Sequence, residues 1–433
     1  LLGFRNQEKP KEWIIRLVVS TGNWTTQTLE ESLDLVWRVD VSSGDLSTPD
    51  AAANGADVRA AWEMMQSLRP LFDEQLLSAA APGRVSESLQ AAEMLESWIA
   101  RCARGTPRFF DSRKQSLLAQ LSDKIQSVDG TQYERNYLAM GSGFYEGESD
   151  TGDQPEVPQK IVRALQNAGL LASKNVDVDI FVNPTACQAI AGSVKALHQQ
   201  KFTIRSAATP STVFGSSTNA VPRSLHAKFL FSAKQSVSSN RLARPWIYLG
   251  SGNLTRPGFV SKMSANGGNL EAGVVFTSPT LHHRRGPEAQ AQLVVTNLLP
   301  VQFDSEFEED SILTAGNEME PRVERFLAPV IAYFQWNASP HSSDEGELSC
   351  PQDIPADLEV LDANGQACKK TEDGFTWPGT CPRTVLIRWN KVEREVPVLD
   401  EYGRIAATGL RKLDLDEVIW QLSAFPLAPQ AAE

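Results

Sequence analysis

An α/β fold made of two similar halves and a C-terminal extension is predicted by three features of this 433-residue sequence. Strand-like and helix-like segments alternate from about residue 12 to residue 277, the pattern of a sheet covered by helices. A strand–turn–strand unit near the start recurs near the middle. The composition changes after about residue 303.

Residues 12–20 and 33–39 are rich in β-branched and aromatic residues and read as strands. Residues 43–56 are Ser, Gly, Asp and Ala, which predicts a loop. Apolar residues at helical spacing follow over 57–103 (Val58, Trp62, Met65 and Leu68, then Leu89, Met94, Leu95 and Ile99), broken at Pro82-Gly83. A further helix is expected over 112–127. Residues 136–142 read as a strand running into a Gly-Ser loop, and the acidic stretch 146–157 as a linker. Then come a helix (158–171), a strand (178–183), a helix (185–200) and strands near 202–206, 228–232, 246–250 and 271–277. Residues 303–320 are strongly acidic, 338–375 are rich in Asp, Glu, Ser, Pro and Gly, and 384–420 return to strand-like patterning. The expected division is a first half over 1–157, a second over 158–300, and an acidic linker with a C-terminal extension over 301–433.

Hydrophobic residues make up 41% and charged residues 22%, an ordinary globular composition. No apolar run approaches the roughly 18 residues of a membrane helix, so no membrane partner is expected. A net charge of −12 and a pI near 5.1 argue against a broad basic surface that grips long nucleic acid, while leaving room for a local basic cleft. The five cysteines (Cys102, Cys187, Cys350, Cys368, Cys381) form no CxxC pair. That points to a reducing, intracellular compartment and away from a disulfide framework or structural zinc site. No metal-ligand spacing appears, and no cofactor is expected.

The repeat carries the chemistry. Arg16-Leu-Val-Val-Ser-Thr-Gly-Asn-Trp-Thr25 and Trp246-Ile-Tyr-Leu-Gly-Ser-Gly-Asn-Leu-Thr255 are each an apolar strand ending in Ser/Thr-Gly-Asn. Each is followed by a strand that begins with an acid, Asp34 in the first copy and Glu271 in the second. The Asn-to-acid spacings are 11 and 18, so the intervening loop is longer in the second copy. Two copies in one order imply two half-domains facing each other across a pseudo-two-fold axis. The second copy also carries His226 and Lys228, two apart and so on one face of a strand. A histidine beside a lysine and a turn asparagine suits phosphoryl transfer. Lys and Asn neutralise phosphate oxygens, and His moves a proton or attacks phosphorus. A lone HxK is more often a core histidine with a nearby lysine; its place ahead of the repeated Ser-Gly-Asn turn tips the reading toward chemistry.

This constellation resembles the phospholipase D superfamily, whose pattern is HxK(x)4D followed by a GSxN-type turn, twice per active site. Ser232 and Ala233 stand where the Asp would be, which is similar to the tyrosyl-DNA phosphodiesterase branch of that family. Asn219-Ala220-Val221-Pro222, Gly105-Thr106-Pro107-Arg108-Phe109 and Ala139-Met140-Gly141-Ser142-Gly143 also resemble stretches of that branch, in the same order. The resemblance implies two α/β half-domains, each a mixed sheet flanked by helices. It implies a metal-independent phosphodiesterase acting on a nucleic-acid phosphodiester through a covalent phosphohistidine, as in 3′-end processing in DNA repair. His226 would be general acid and then base. Lys228 and Asn253 would bind phosphate oxygens, with Asn23 as first-half counterpart. Glu271 would orient the histidines, with Asp34 a candidate for the matching role. Ser251, Thr255, Gly141, Ser142 and Asp34 would lie on the substrate side.

The family pattern also asks for a first-half HxK, and the sequence shows none; the other histidines are His198, His282, His283 and His341. The repeat aligns Leu1-Leu2 with Phe229-Leu230, so the expected place for that motif is a few residues upstream of Leu1. The partner expected is single-stranded DNA or a DNA 3′ end, with a protein or peptide adduct as leaving group. The compartment would be nuclear in a eukaryote and cytoplasmic in a bacterium. Two alternatives stay open: a nuclease of a defence or restriction system, and a catalytically inactive module that binds nucleic acid or a partner. His282-His283-Arg284-Arg285 and the cluster Arg101, Arg104, Arg108, Arg113 and Lys114 read as solvated basic segments or as contacts along a binding groove.

Overall fold

A computed structural model describes residues 1–22, 32–71, 85–130, 132–146, 156–208, 223–236, 239–264, 267–283, 293–316, 331–339, 345–350, 353–389 and 392–400. Asn23, the Asn219–Pro222 stretch, Arg284, Arg285 and His341 lie outside them. The chain is mixed α/β and divides into two compact units, Leu1–Ser67 with Leu95–Arg322, and Leu68–Met94 with Val323–Glu433. Among the described residues no helix is long and apolar enough to cross a membrane.

In the larger unit and the helices leading into it, the elements run β1 (Leu2–Arg5), β2 (Trp13–Ser20), β3 (Ser32–Leu33), β4 (Val36–Ser42), α1 (Pro49–Leu68), α2 (Glu87–Arg101), β5 (Phe109–Asp111), α3 (Leu117–Asp129), β6 (Tyr137–Gly141) and α4 (Glu156–Asn167). They continue with β7 (Asp177–Val182), α5 (Ala189–Gln199), β8 (Phe202–Ala207), β9 (Ser224–Leu225), β10 (Phe229–Gln235), β11 (Arg241–Gly250), β12 (Ala272–Thr277), β13 (Leu281–His282) and β14 (Val301–Phe307). Helix α1 begins well inside the stretch that its composition marks as a loop. Thr48-Pro49-Asp50 supplies the reason: the Thr48 hydroxyl accepts the Ala51 N–H at 3.2 Å, Pro49 opens the first turn, and Ala51, Ala52 and Ala53 favour the helix.

One sheet has nine strands in the order β14-β8-β7-β6-β10-β11-β12-β5, with β13 added beside β11. Its β6-β7-β8 portion is parallel, joined through α4 and α5, and the rest is antiparallel. Both faces are buried. Leu138, Met140, Ile180, Val182 and Ile204 belong to a core with Leu121, Ile161, Leu165, Ile190 and Leu197 from the helices, while Ala139, Phe181, Phe229, Phe231 and Ile247 share a second core. Strands β5 and β6 join this sheet although they fall in the stretch read as the first half. Strand β14, read from its acidity as the start of a linker, is an edge strand on β8.

The first-half strands form a separate antiparallel sheet, β1-β2-β4, which matches β10-β11-β12 in order and direction. Leu2 pairs with Arg16; moved along by the 230 positions between the two turns, that pair becomes Ser232 with Trp246, a pair of β10 and β11, so the strand register matches Leu1-Leu2 with Phe231-Ser232 and not with Phe229-Leu230. Ser20 pairs with Val36, and Gly250 with Gly273. The second strand of that pairing is offset by seven more, the extra length of the second loop. Register as well as sequence is therefore repeated.

The smaller unit contains β15 (Phe334–Ala338), β16 (Glu345–Ser349), β17 (Glu359–Leu361), β18 (Gly374–Pro378), β19 (Thr384–Trp389) and β20 (Val392–Leu399). They form a six-stranded sheet, β17-β19-β20-β15-β16-β18, over a core that includes Phe334, Trp336, Leu348, Val360, Phe375, Ile387 and Val396.

Candidate functional site

The two halves of the larger unit meet at a two-residue parallel ladder, Ser32 and Leu33 of β3 against Ser224 and Leu225 of β9. The Leu33 carbonyl then accepts both the His226 and Ala227 N–H groups, at 3.0 and 2.8 Å. His226 to Lys228 is thus an extended segment just ahead of β10 rather than part of the strand. This contact carries second-half side chains onto first-half partners. His226 Nδ1 lies 3.0 Å from Asp34 Oδ1, and Lys228 Nζ donates to the Thr21 carbonyl at 3.0 Å. The Lys228 Nζ also sits 3.1 Å from His226 Nε2.

Each acid is held by the hydroxyl of its own turn, in the same way twice. Thr21 Oγ1 donates to Asp34 Oδ1 at 2.8 Å, and the Ser251 hydroxyl donates to Glu271 Oε2. The Leu35 N–H bonds back to Thr21 Oγ1 at 2.8 Å, and the Ala272 N–H to Ser251 Oγ at 3.1 Å. The Thr21 N–H donates to the Leu35 carbonyl at 3.0 Å, and the Ser251 N–H to the Ala272 carbonyl at 2.9 Å. Thr21 stands 230 positions before Ser251, so the repeat itself pointed to the pair. Sequence reading set Ser251 on the substrate side and passed over Thr21; the structure gives both hydroxyls to the acids.

The acid at the His226 ring is Asp34. Glu271 is braced from its own side by Asn269 Nδ2 at 3.2 Å, and its N–H donates to Ser112 Oγ at 2.8 Å. Ser112, fully buried after β5, donates in turn to the Asn269 carbonyl at 2.8 Å. Neither Ser112 nor Asn269 carries a sequence signal of its own.

Lys228 is 3% exposed, and burial pushes its ammonium down to about 8, against the opposing pull of Asp34 and Glu271. Such a lysine is poised to gain an anionic ligand, which would restore the charge state that burial disfavours.

Asn253 is half-buried in the turn after β11, with its Oδ1 3.4 Å from Ser142 Oγ. Ser142 is buried; its hydroxyl donates to the Phe144 carbonyl at 2.6 Å and accepts the Leu254 N–H at 3.2 Å. Its visible work is to hold the Asn253 turn. Gly141 closes β6 against Phe229, where a Cβ would lie 2.3 Å from the ring. Thr255 uses its hydroxyl to accept the Gly258 N–H at 3.2 Å, capping the helical turn Arg256–Val260. The basic cluster is largely engaged in structure: Arg108 pairs with fully buried Asp57, Arg113 with Asp111, and Arg101 covers the Trp13 ring at 5.3 Å.

Gly143 explains why the loop after β6 can lie against His226. A Cβ there would sit 2.7 Å from His226 Cα and 2.8 Å from the Leu225 carbonyl oxygen. Gly143→Ala is expected to cost about 1–3 kcal/mol of stability, the usual price of overpacking. Thermal unfolding measures that cost, and the displaced His226 should lower activity as well.

No protein-family model and no curated protein matches the chain. Among solved structures it is similar to yeast tyrosyl-DNA phosphodiesterase, at 12% identity over 64% of this chain and 65% of that one, with a TM-score of 0.37. A histidine-to-alanine form of the yeast protein matches at 12% identity over 63% and 67%, TM-score 0.38, and a histidine-to-asparagine form at 11% over 69% and 74%, TM-score 0.40. The chain spans just under two thirds of the first of these structures.

Proposed function

We propose that the chain is a phosphodiesterase acting on nucleic-acid phosphodiesters, in the manner of 3′-end processing. The observation that carries the reading is the cluster of His226, Asp34 and Lys228, assembled from both halves beside the braced Thr21-Gly22 and Ser251-Gly252-Asn253 segments. Lys228 and Asn253 take the nonbridging phosphate oxygens, with Asn23 as first-half counterpart. Asp34 accepts the proton on Nδ1 and leaves Nε2 as the nitrogen that exchanges protons with substrate. In the covalent scheme, which needs a first-half HxK that these 433 residues do not show, that imidazole would attack phosphorus. The P–O bond to the leaving group breaks, and His226 Nε2–H protonates the departing oxygen. His226 then takes a proton from water as water displaces the phosphohistidine, and both imidazoles are regenerated. Glu271, braced by Ser251 and Asn269, adds negative charge that favours the protonated Lys228.

Activity is expected to survive excess EDTA, because Lys228 and Asn253 supply the charge stabilisation that a metal ion would otherwise give. The assay is release of label from a 3′-phosphotyrosyl oligonucleotide, run beside an unmodified strand of the same sequence. Cleavage of the tyrosyl end alone supports end processing. Cleavage of both strands at similar rates turns the reading toward a nuclease. Loss of activity with chelator and recovery with Mg2+ would discard the metal-independent mechanism.

A further inference from the structure

We propose that Gln188 is a positioning residue for this site: from outside the catalytic cluster, it locks the loop after β6 so that Ser142 can hold the Asn253 turn. The inference rests on the phosphodiesterase reading for its effect on activity, and on geometry alone for its effect on the loop.

Gln188 immediately precedes α5 and is 6% exposed. Its backbone has φ 46° and ψ −126°, a conformation that glycine adopts freely and side chains resist. A non-glycine residue held there costs of the order of 1–3 kcal/mol and persists where its surroundings over-determine it. Those surroundings are visible. The Gln188 N–H donates to the Ala315 carbonyl at 3.0 Å, and its carbonyl accepts the Ala191 N–H at 3.1 Å. Its Oε1 accepts the Tyr145 N–H at 3.0 Å, and its Nε2 donates to the Ala186 carbonyl at 3.2 Å.

Tyr145 is the anchor of the loop. Its ring is buried, its hydroxyl donates to the Phe181 carbonyl at 2.7 Å, and its backbone bridges Leu254 in the turn that carries Asn253. The next residue is tied to the same helix end, since the Ala189 N–H donates to the Glu146 carbonyl at 3.0 Å. Upstream, Ser142 contacts Asn253 and accepts the Leu254 N–H, and Gly143 lies on His226. The Gln188 amide therefore adds one tie, at the Tyr145 N–H, to a loop that touches the histidine and the asparagine together. A glycine would fit the backbone better, but it would lack the two side-chain bonds to Tyr145 and Ala186.

The test compares Gln188→Gly, which relieves the backbone and removes the amide, with Gln188→Met, which keeps the volume and removes the acceptor. Residue-resolved amide exchange on the full chain reads the loop. In both variants the Tyr145 and Leu254 amides should exchange about tenfold faster, the loss expected when one hydrogen bond no longer opposes opening. The amides of β10 and β11 should be unchanged, which separates a loop effect from general destabilisation. Exchange at Tyr145 and Leu254 within twofold of the wild type in both variants would overturn the proposal, as would faster exchange throughout the sheet in both. With the 3′-tyrosyl oligonucleotide, kcat/KM should fall in both, because a displaced loop shifts His226 and the Asn253 turn from their places in the closed site. A wild-type chain without phosphodiesterase activity would remove the functional reading and leave the exchange result to decide the role of Gln188.

Discussion

Replacing His226 by alanine is expected to lower turnover of a 3′-modified oligonucleotide by about 10²–10⁴-fold, the range that a positioned general acid–base supplies. Binding should change little, because Lys228 and Asn253, the proposed phosphate ligands, remain. In a protein that carries the first-half histidine, which these 433 residues do not show, the loss falls hardest on the second step. A good leaving group departs without the acid, and the phosphohistidine then waits for water that has no base. Label should accumulate on the protein, and an alkaline denaturing gel should show it, since phosphohistidine survives base. Asp34→Asn tests the other end of the same hydrogen bond. The 3.0 Å contact lets the carboxylate accept the Nδ1 proton. An amide could present a donor there instead and leave the wrong tautomer, at a cost of about 10²-fold or more. Thr21→Val should give a smaller loss of the same kind, because it frees Asp34 without removing it. Near-normal turnover in His226→Ala would make the histidine structural and end the mechanism.

Much of this site was legible in the sequence because the repeat is a chemical pattern as well as a structural one. The apolar run before each Ser/Thr-Gly-Asn could only be a strand, and the acid after each turn stood at the head of its partner strand. Asp34 and Glu271 were found that way, and so was the His226–Lys228 pair. What the pattern could not show was which acid would meet which histidine. That depends on the β3–β9 ladder, which joins residues 192 positions apart. Two-residue strands have no periodicity to read, and a pairing that distant leaves no local trace. The contacts of the Thr21 and Ser251 hydroxyls to the acids follow the repeat, in which Thr21 and Ser251 stand 230 positions apart. Ser112, Asn269 and Gln188 have no pattern at all, since single hydrogen-bonding residues on loops acquire their meaning from what the fold brings near. The same holds for β5, β6 and β14. Strands β14 and β5 take the two edges of the large sheet and β6 lies between β7 and β10, so the sheet draws strands from both sides of the boundaries that composition suggests.

The pH dependence of Lys228 provides the other large effect. Burial lowers this ammonium from its ordinary value to about 8. The proton is held below that pH and lost above it. If the charged form binds the phosphate, kcat/KM should be level on this limb below pH 8 and fall about tenfold per unit above it, because kcat/KM reports the free protein. Bound phosphate adds negative charge beside the ammonium and favours the proton, so the corresponding limb in kcat should move to higher pH. Lys228→Arg keeps its charge throughout this range and should remove the alkaline limb, though its broader guanidinium fits the buried site less well and the plateau should be lower. Lys228→Met should lose about 10²–10³-fold at every pH, comparable to removing one strong donor from a developing oxyanion. No covalent label should accumulate in that variant, because both steps need the lysine, and this separates it from His226→Ala. An alkaline limb that persists unchanged in Lys228→Arg would assign the titration to another group, and near-normal turnover in Lys228→Met would remove Lys228 from the phosphate.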